Sequence, residues 1–179
     1  MKIGYQGVKG AFSYIAAKKL YPNEEMVNFP SFREVFEALE CGKIDIGIIP
    51  IENSYTGKVE DTNLLMNDFN VKILKNINIP IHHNLAGIEG TTLVAITHIF
   101  SHKQALLQCK ENIKKILPKV QLVEKENTAI SAHFVSTAKN KNYACLCSSE
   151  AIKEYGLKNL YPNIQDKDDN STLFVAISR

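Results

Sequence analysis

The alternation of strand-like and helix-like segments constrains the fold of this chain more than any other feature. The segment DIGIIPI at 45–51 lacks polar alternation, as a strand covered on both faces would. The segment before it opens with Ser31 and Glu34 at capping-box spacing and carries one apolar face. Apolar residues at helical spacing over 103–117 predict another helix. This alternation predicts an α/β fold with a largely parallel sheet.

Two strand-like segments predict that the chain crosses between two lobes. A long strand near 75–80 would lead from the first lobe to the second, and the last strand, after residue 160, would return. We therefore expect two α/β lobes with a central cleft. Lobe 1 would comprise 1–76 plus 160–179 and lobe 2 would comprise 77–159. A cleft at strand ends is where such folds bind small molecules.

The composition disfavours several classes of protein. The formal net charge of the 179 residues is +2 and the lysines are scattered, whereas a nucleic-acid binder more often shows a basic stripe. No apolar run reaches the roughly 18 residues of a membrane span, and the N-terminus lacks the apolar core of a signal peptide. Cys145 and Cys147 have no partners at zinc spacing, which favours buried thiols over a metal site. We expect a cytoplasmic protein that binds neither nucleic acid nor membranes.

Polar clusters follow strand-like segments at four places, and each precedes a helix-like segment. Such positions offer backbone N–H groups that suit carboxylates and phosphates. One cluster is most often a helix cap, whereas four over both lobes favour an anion site. GxGxxG before the first helix, GxxxxGK[ST], HExxH and GxSxG are all missing. Any chemistry would therefore use hydroxyls, amides and the carboxylate of Glu52. The clusters are GVKGAFS (7–13), IENSYTG (51–57), SHKQALLQ (101–108) and ENTAIS (126–131).

These clusters, in this order, resemble the motifs of the prephenate dehydratase family. The resemblance spans nearly the whole chain and places His83 on the family histidine and Thr128 in a T-A-x-x-A segment. The segments that carry it are YQGVKGAFS, IPIENSYTGKV, PIHHNL, SHKQALLQC, ENTAISA, YGLKNLYPNIQD and NSTLF.

The resemblance implies a fold of two α/β lobes, like a type II periplasmic binding protein, with the substrate in the cleft. It also implies which residues form the site. Thr172 is the main candidate for assisting departure of the ring hydroxyl, and Asn53, Gln108 and Ser101 complete the expected catalytic group. Further substrate contacts are expected from Ser54, Glu52, Gly57, Ala11, Phe12, Gln104, Thr128, Phe174 and Lys103.

The implied reaction is the loss of CO2 and water from prephenate, which gives phenylpyruvate on the route to phenylalanine. Because aromatisation drives the reaction, the protein has to orient the dianion and hydrogen-bond the leaving hydroxyl. We expect Thr172 to polarise that hydroxyl or to relay a proton, with Asn53, Gln108 or a water completing the path. Glu52 is expected to be a structural acceptor rather than a proton source. No cofactor or metal is implied.

Two residues depart from the family pattern. Leu173 stands where the family has the arginine of TRF, and leucine cannot hold a carboxylate bidentately. Lys103 stands where the family has the proline of SHPQ, and we hypothesise that it supplies the missing positive charge. Many family members continue into an ACT domain that binds phenylalanine, and we expect none within these 179 residues.

Three alternatives remain open. One is a prephenate decarboxylase, which retains the hydroxyl. Another is an arogenate dehydratase, which would share every motif. The third is a non-catalytic binder of an aromatic precursor, which only Leu173 favours. The resemblance implies a homodimer or a higher homo-oligomer.

Overall fold

Two β-sheets with flanking helices make up the computed structural model, which describes all residues from 1 to 179. The chain divides into two units. Unit 1 comprises Met1–Val8, Phe12–Ile81 and Asp169–Arg179, and unit 2 comprises Lys9–Ala11 and His82–Asp168. The predicted α/β class is confirmed, with one sheet in each unit, but both sheets combine parallel and antiparallel strands instead of being largely parallel.

The elements follow one another in chain order as strands β1–β11 and helices α1–α7. Unit 1 contains β1 (Lys2–Gln6), α1 (Phe12–Leu20), β2 (Glu25–Phe29), α2 (Phe32–Glu40), β3 (Ile46–Asn53), β4 (Gly57–Lys58), α3 (Glu60–Asp68), β5 (Lys72–Pro80) and β11 (Ser171–Ser178). Unit 2 contains β6 (Asn84–Gly87), β7 (His98–Ser101), α4 (Lys103–Gln108), α5 (Lys110–Ile116), β8 (Gln121–Glu124), α6 (Thr128–Ala138), β9 (Tyr143–Cys147), α7 (Ser149–Glu154) and β10 (Lys158–Tyr161). The longest helix is α6 with 11 residues, and no helix is both long and apolar enough to cross a membrane.

The sheet of unit 1 has the order β2-β1-β3-β11-β5, with β4 paired to β3. Strands β1, β2 and β3 run parallel, whereas β11 is antiparallel to both β3 and β5. Ile48 packs in the core cluster that includes α1, and its neighbour Ile49 packs in the cluster that includes α2. Strand β3 is therefore buried on both faces, which explains why its sequence does not alternate.

The sheet of unit 2 has the order β10-β6-β9-β7-β8. Strand β7 is parallel to β8 and β9, and β6 is antiparallel to β9 and β10. Its core contains Leu85, Ile99, Leu146 and residues of α4 and α5 such as Leu106. The predicted helix over 103–117 is in fact two helices. Their junction is Cys109, and the carboxylate of Asp166 accepts the first free N–H groups of α5.

The unit boundaries differ from the predicted lobe boundaries of 1–76 plus 160–179 and 77–159. Strand β5 stays paired with β11 as far as Pro80, and the N–H of Ile81 still bonds to the carbonyl of Asn170, so unit 1 extends to Ile81. Strand β10 pairs with β6, which keeps the segment up to Asp168 in unit 2.

The short segment Lys9–Ala11 also belongs to unit 2, which the sequence did not indicate. The carbonyl of Gly10 accepts a hydrogen bond from the Ser148 hydroxyl at 2.7 Å. A side chain at Gly10 would bring its Cβ within 2.8 Å of the Ala151 Cβ, and the φ of +90° also requires glycine. The close approach to α7 explains why this glycine is needed.

Candidate functional site

Asn53 and Thr172 meet at the end of the β3–β11 ladder in unit 1. They are direct partners in the register of these strands, and the Asn53 Nδ2 donates a hydrogen bond to the Thr172 Oγ1 at 2.9 Å. The same amide nitrogen lies 2.9 Å from the Asn170 Oδ1 and 3.1 Å from the Ser171 carbonyl oxygen. The two residues predicted to be central to catalysis are therefore in direct contact.

The turn after β3 fixes the orientation of the Asn53 amide. Its Oδ1 accepts the backbone N–H groups of Tyr55 at 2.9 Å and Thr56 at 3.1 Å, which is an Asx-turn arrangement. Because a backbone N–H can only donate, the oxygen must face the turn and the NH2 group must face Thr172. Part of the polarity that follows β3 therefore serves to position this one side chain.

Ser54 and Asn170 complete the polar group of unit 1. The Ser54 Oγ donates to the Asn170 Oδ1 at 3.2 Å and accepts the backbone N–H of Ser171 at 2.9 Å. Asn170 is 4% exposed and was not among the predicted site residues. The first letter of the family's N-x-TRF signature, which NSTLF matches, was the signal that could have identified it.

Several predicted residues of unit 1 lie outside this hydrogen-bonded group. Glu52 is exposed and lies opposite Lys58 and Leu173 in register, on the face away from Asn53. Gly57 pairs with Asn53 and has a φ of +78°, as the turn requires. Phe174 is buried in the core cluster of α1, and Phe12 packs against the same cluster. Their predicted contacts with substrate remain predictions.

A second group of polar side chains lies in unit 2. The His83 Nε2 is 2.8 Å from the Gln108 Oε1. Burial lowers the pKa of His83, which favours the neutral ring. Because an amide oxygen can only accept, the His83 Nε2 carries the proton and the Gln108 Nε2 remains available as a donor.

The other predicted residues of unit 2 have varied surroundings. The Ser101 hydroxyl is buried and donates to the Leu146 carbonyl at 2.9 Å. Thr128 is buried in the first turn of α6, whose N-cap is Asn127. Lys103 and Gln104 are exposed at the start of α4, and Ala11 is buried. The structure thus brings Gln108 together with His83 but does not join Ser101 to that pair.

The cysteines carry free thiols. Cys109, Cys145 and Cys147 are buried, as expected for the latter two, whereas Cys41 is exposed at the end of α2. The hydrogen bond with Cys147, together with burial, raises the pKa of Cys145, and burial raises the pKa of Cys109. Cys109 and Cys145 are therefore protonated near neutral pH and poor nucleophiles.

Comparisons with known proteins show which family the chain resembles. A family model described as prephenate dehydratase matches residues 3–179. Arogenate dehydratase 5 (chloroplastic) of Arabidopsis thaliana is 34% identical over 179 residues, covering 100% of this chain and 42% of that protein. Prephenate dehydratase of Lactococcus lactis subsp. cremoris (strain MG1363) is 34% identical over 180 residues, covering 100% and 64%.

A solved structure of prephenate dehydratase from Arthrobacter aurescens, in complex with L-Phe, has the same fold. Its TM-score is 0.93 at 26% identity, and the match covers 100% of this chain and 60% of that one. The chain thus spans between two fifths and two thirds of the length of these three proteins. Because the family model matches residues 3–179, the chain belongs to the prephenate dehydratase family.

Proposed function

We propose that this chain catalyses the decarboxylation and dehydration of prephenate to phenylpyruvate, a lyase reaction of phenylalanine biosynthesis. The observation that carries the proposal is the hydrogen bond from Asn53 to Thr172, because it presents a hydroxyl whose proton is free to be donated. Membership of the prephenate dehydratase family supports the same reaction.

The reaction needs little covalent chemistry from the protein. As the ring carboxylate departs as CO2, the electron pair of its carbon–carbon bond moves into the ring and expels the C4 hydroxyl. That hydroxyl takes up one proton, which comes from the solvent, and leaves as water. In this proposal Thr172 donates a hydrogen bond to the departing oxygen, and a preorganised donor of this kind contributes roughly 10²–10³ in rate.

Unit 2 has side-chain donors of its own that suit an anion. The Gln108 Nε2 is free to donate because His83 engages the amide oxygen. Lys103 is exposed and forms none of the ion pairs in the structure, so its charge is available to a carboxylate. The contact of both residues with the substrate remains a prediction from the sequence.

The test is turnover of prephenate by the purified protein and by Thr172→Val, which keeps the shape of the side chain but removes the hydroxyl. We expect phenylpyruvate, read by its absorbance in alkali, to form about 10²–10³ times more slowly with the variant. The matched control is Thr62→Val, because the Thr62 hydroxyl is also buried in unit 1 but bonds to the carbonyls of Pro50 and Val59. The control should lose stability and retain its kcat.

Other results of this turnover assay would indicate a different function. Consumption of prephenate without an aromatic product would replace the proposal with a decarboxylase. Absence of any consumption of prephenate or arogenate would leave a binding protein.

Arogenate is the second candidate substrate, and the plant relative supports it. That arogenate dehydratase and the bacterial prephenate dehydratase are both 34% identical to this chain. The same assay with arogenate, followed by chromatography of phenylalanine, compares the two values of kcat/KM.

We also propose a cytoplasmic location and a homodimer. Four free thiols, including two cysteines separated by one residue on β9, support a reducing compartment. Strand β5 lies at the edge of its sheet with Ile73 and Leu74 half exposed, which supports pairing with a second copy.

A further inference from the structure

We infer that Asn170 is a positioning residue for the reaction, because its Oδ1 holds the NH2 group of Asn53, which the turn after β3 directs at Thr172, so that the Thr172 hydroxyl keeps its proton for the substrate. This inference rests on the proposed function, and it assigns a role to a residue that does not itself contact the leaving group. Three contacts within unit 1 carry it, from Asn170 to Asn53 and Ser54, and from Asn53 to Thr172.

The first step is the contact between Asn170 and Asn53. The Asn170 Oδ1 accepts the Asn53 Nδ2 at 2.9 Å and the Ser54 hydroxyl at 3.2 Å. Ser54 is itself held by the backbone N–H of Ser171 at 2.9 Å. The acceptor oxygen that faces Asn53 is therefore fixed from two sides.

The second step is the direction of the bond to Thr172. The Asn53 oxygen is occupied by the N–H groups of Tyr55 and Thr56, so this side chain presents only N–H to the Thr172 Oγ1. Thr172 therefore accepts from Asn53 and keeps its own proton for another acceptor. Asn53 therefore donates to Thr172 and does not take its proton.

The third step concerns the amide nitrogen of Asn170. Its Nδ2 is buried and has no hydrogen-bond partner, although an unsatisfied buried donor normally destabilises a protein. Within the Asn170 side chain, only the Oδ1 makes hydrogen bonds. A carboxylate would keep this acceptor, whereas an isosteric apolar side chain would remove it.

The experiment compares Asn170→Leu and Asn170→Asp with the wild-type chain. We expect Asn170→Leu to lower kcat by about 10- to 100-fold, less than the loss of a whole donor, with KM within about threefold. Asn170→Asp should restore most of kcat because it keeps the acceptor. The matched control is Asn63→Leu, since the Asn63 Nδ2 also makes two hydrogen bonds in unit 1, to the carbonyls of Ile51 and Val59. That control should destabilise the chain without changing kcat.

A double-mutant cycle tests whether Asn170 acts through Thr172. In the Thr172→Val background, Asn170→Leu should lower kcat by less than about threefold, because the hydroxyl that it positions is already gone. Effects that multiply would overturn the inference and leave Asn170 with a structural role only.

Asn53→Asp tests the direction of the bond between Asn53 and Thr172, on which the inference depends, even if Asn170→Leu does not fold. A carboxylate can still accept from Tyr55 and Thr56, but it cannot donate to Thr172 and would instead accept the proton of that hydroxyl. We expect kcat to fall by about 10²-fold at neutral pH and to recover as the pH is lowered and the carboxyl group protonates. A pH profile identical to that of the wild type would contradict the inference. Failure of the wild-type chain to turn over substrate would instead refute the proposed function itself.

Discussion

At the scale of single residues, burial determines the charge of His83. The side chain is 3% exposed, and desolvation lowers its pKa below the usual 6.5; the hydrogen bond to Gln108 opposes this shift, and His82 and His102 add to it slightly. The unfolded chain therefore binds a proton more readily than the folded chain does. The free energy of unfolding that this histidine contributes is fully present above pH 6.5 and is lost as the pH falls towards its folded-state pKa.

We therefore expect the free energy of unfolding, measured by urea denaturation, to fall between pH 7.5 and pH 5.5. His83→Gln should show a shallower fall, because glutamine does not titrate. Some slope should remain, since burial also lowers the pKa of His102. An unchanged slope in His83→Gln would show that His83 is not the group responsible, and NMR titration of its ring would report the pKa directly.

At the scale of elements, the pairing of β11 places the side chains of Leu173 and Thr172 on opposite faces of the sheet. Thr172 lies opposite Asn53 and Ile79, whereas Leu173 lies opposite Glu52 and Asn78. Consecutive residues of a strand point to opposite faces, so the side chain at 173 is directed away from the Thr172 hydroxyl. Leucine cannot hold a carboxylate as the family arginine could, and the register pairs this position with Glu52.

Leu173→Arg should therefore leave kcat and KM within about threefold of the wild-type values. The new guanidinium would lie beside Glu52, and such a cross-strand pair is expected to change the free energy of unfolding by only about 0.2–1 kcal/mol. Steady-state kinetics and urea denaturation measure the two effects. A tenfold fall in KM would mean that the arginine reaches the substrate and that the register argument fails.

At the scale of the whole molecule, the exposed edge of β5 predicts the contact in the proposed homodimer. Ile73 and Leu74 are each 51% exposed there, and exposed apolar residues on an edge strand favour pairing with another strand. The wild-type chain should sediment at about twice its 20.1 kDa mass, and Leu74→Lys should sediment nearer the monomer mass. Leu64→Lys is the matched control, because Leu64 is 63% exposed on α3, away from this edge. A monomeric wild type, or equal dissociation by both variants, would contradict the prediction.

Local sequence patterns predicted much of the fold and part of the site. The run without alternation in β3 indicated a strand buried on both faces. In the structure, Ile48 and Ile49 pack in two different core clusters. The motifs identified Asn53 and Thr172 because a family signature depends on residue identity and order. The break at Cys109 was missed because the apolar spacing of α4 and α5 reads as one helix, while the carboxylate of Asp166 that binds the start of α5 is distant in sequence.

The sequence by itself determined the α/β class, the family and the residue types available for chemistry. Only the tertiary structure decided how those residues act on one another. Asn53 and Asn170 are separated by 117 positions, and their contact depends on the pairing of β3 with β11. The same pairing turns Leu173 away from Thr172, and the turn after β3 sets the direction of the bond between Asn53 and Thr172. Strand register and hydrogen-bond direction depend on long-range pairing, which local periodicity does not encode.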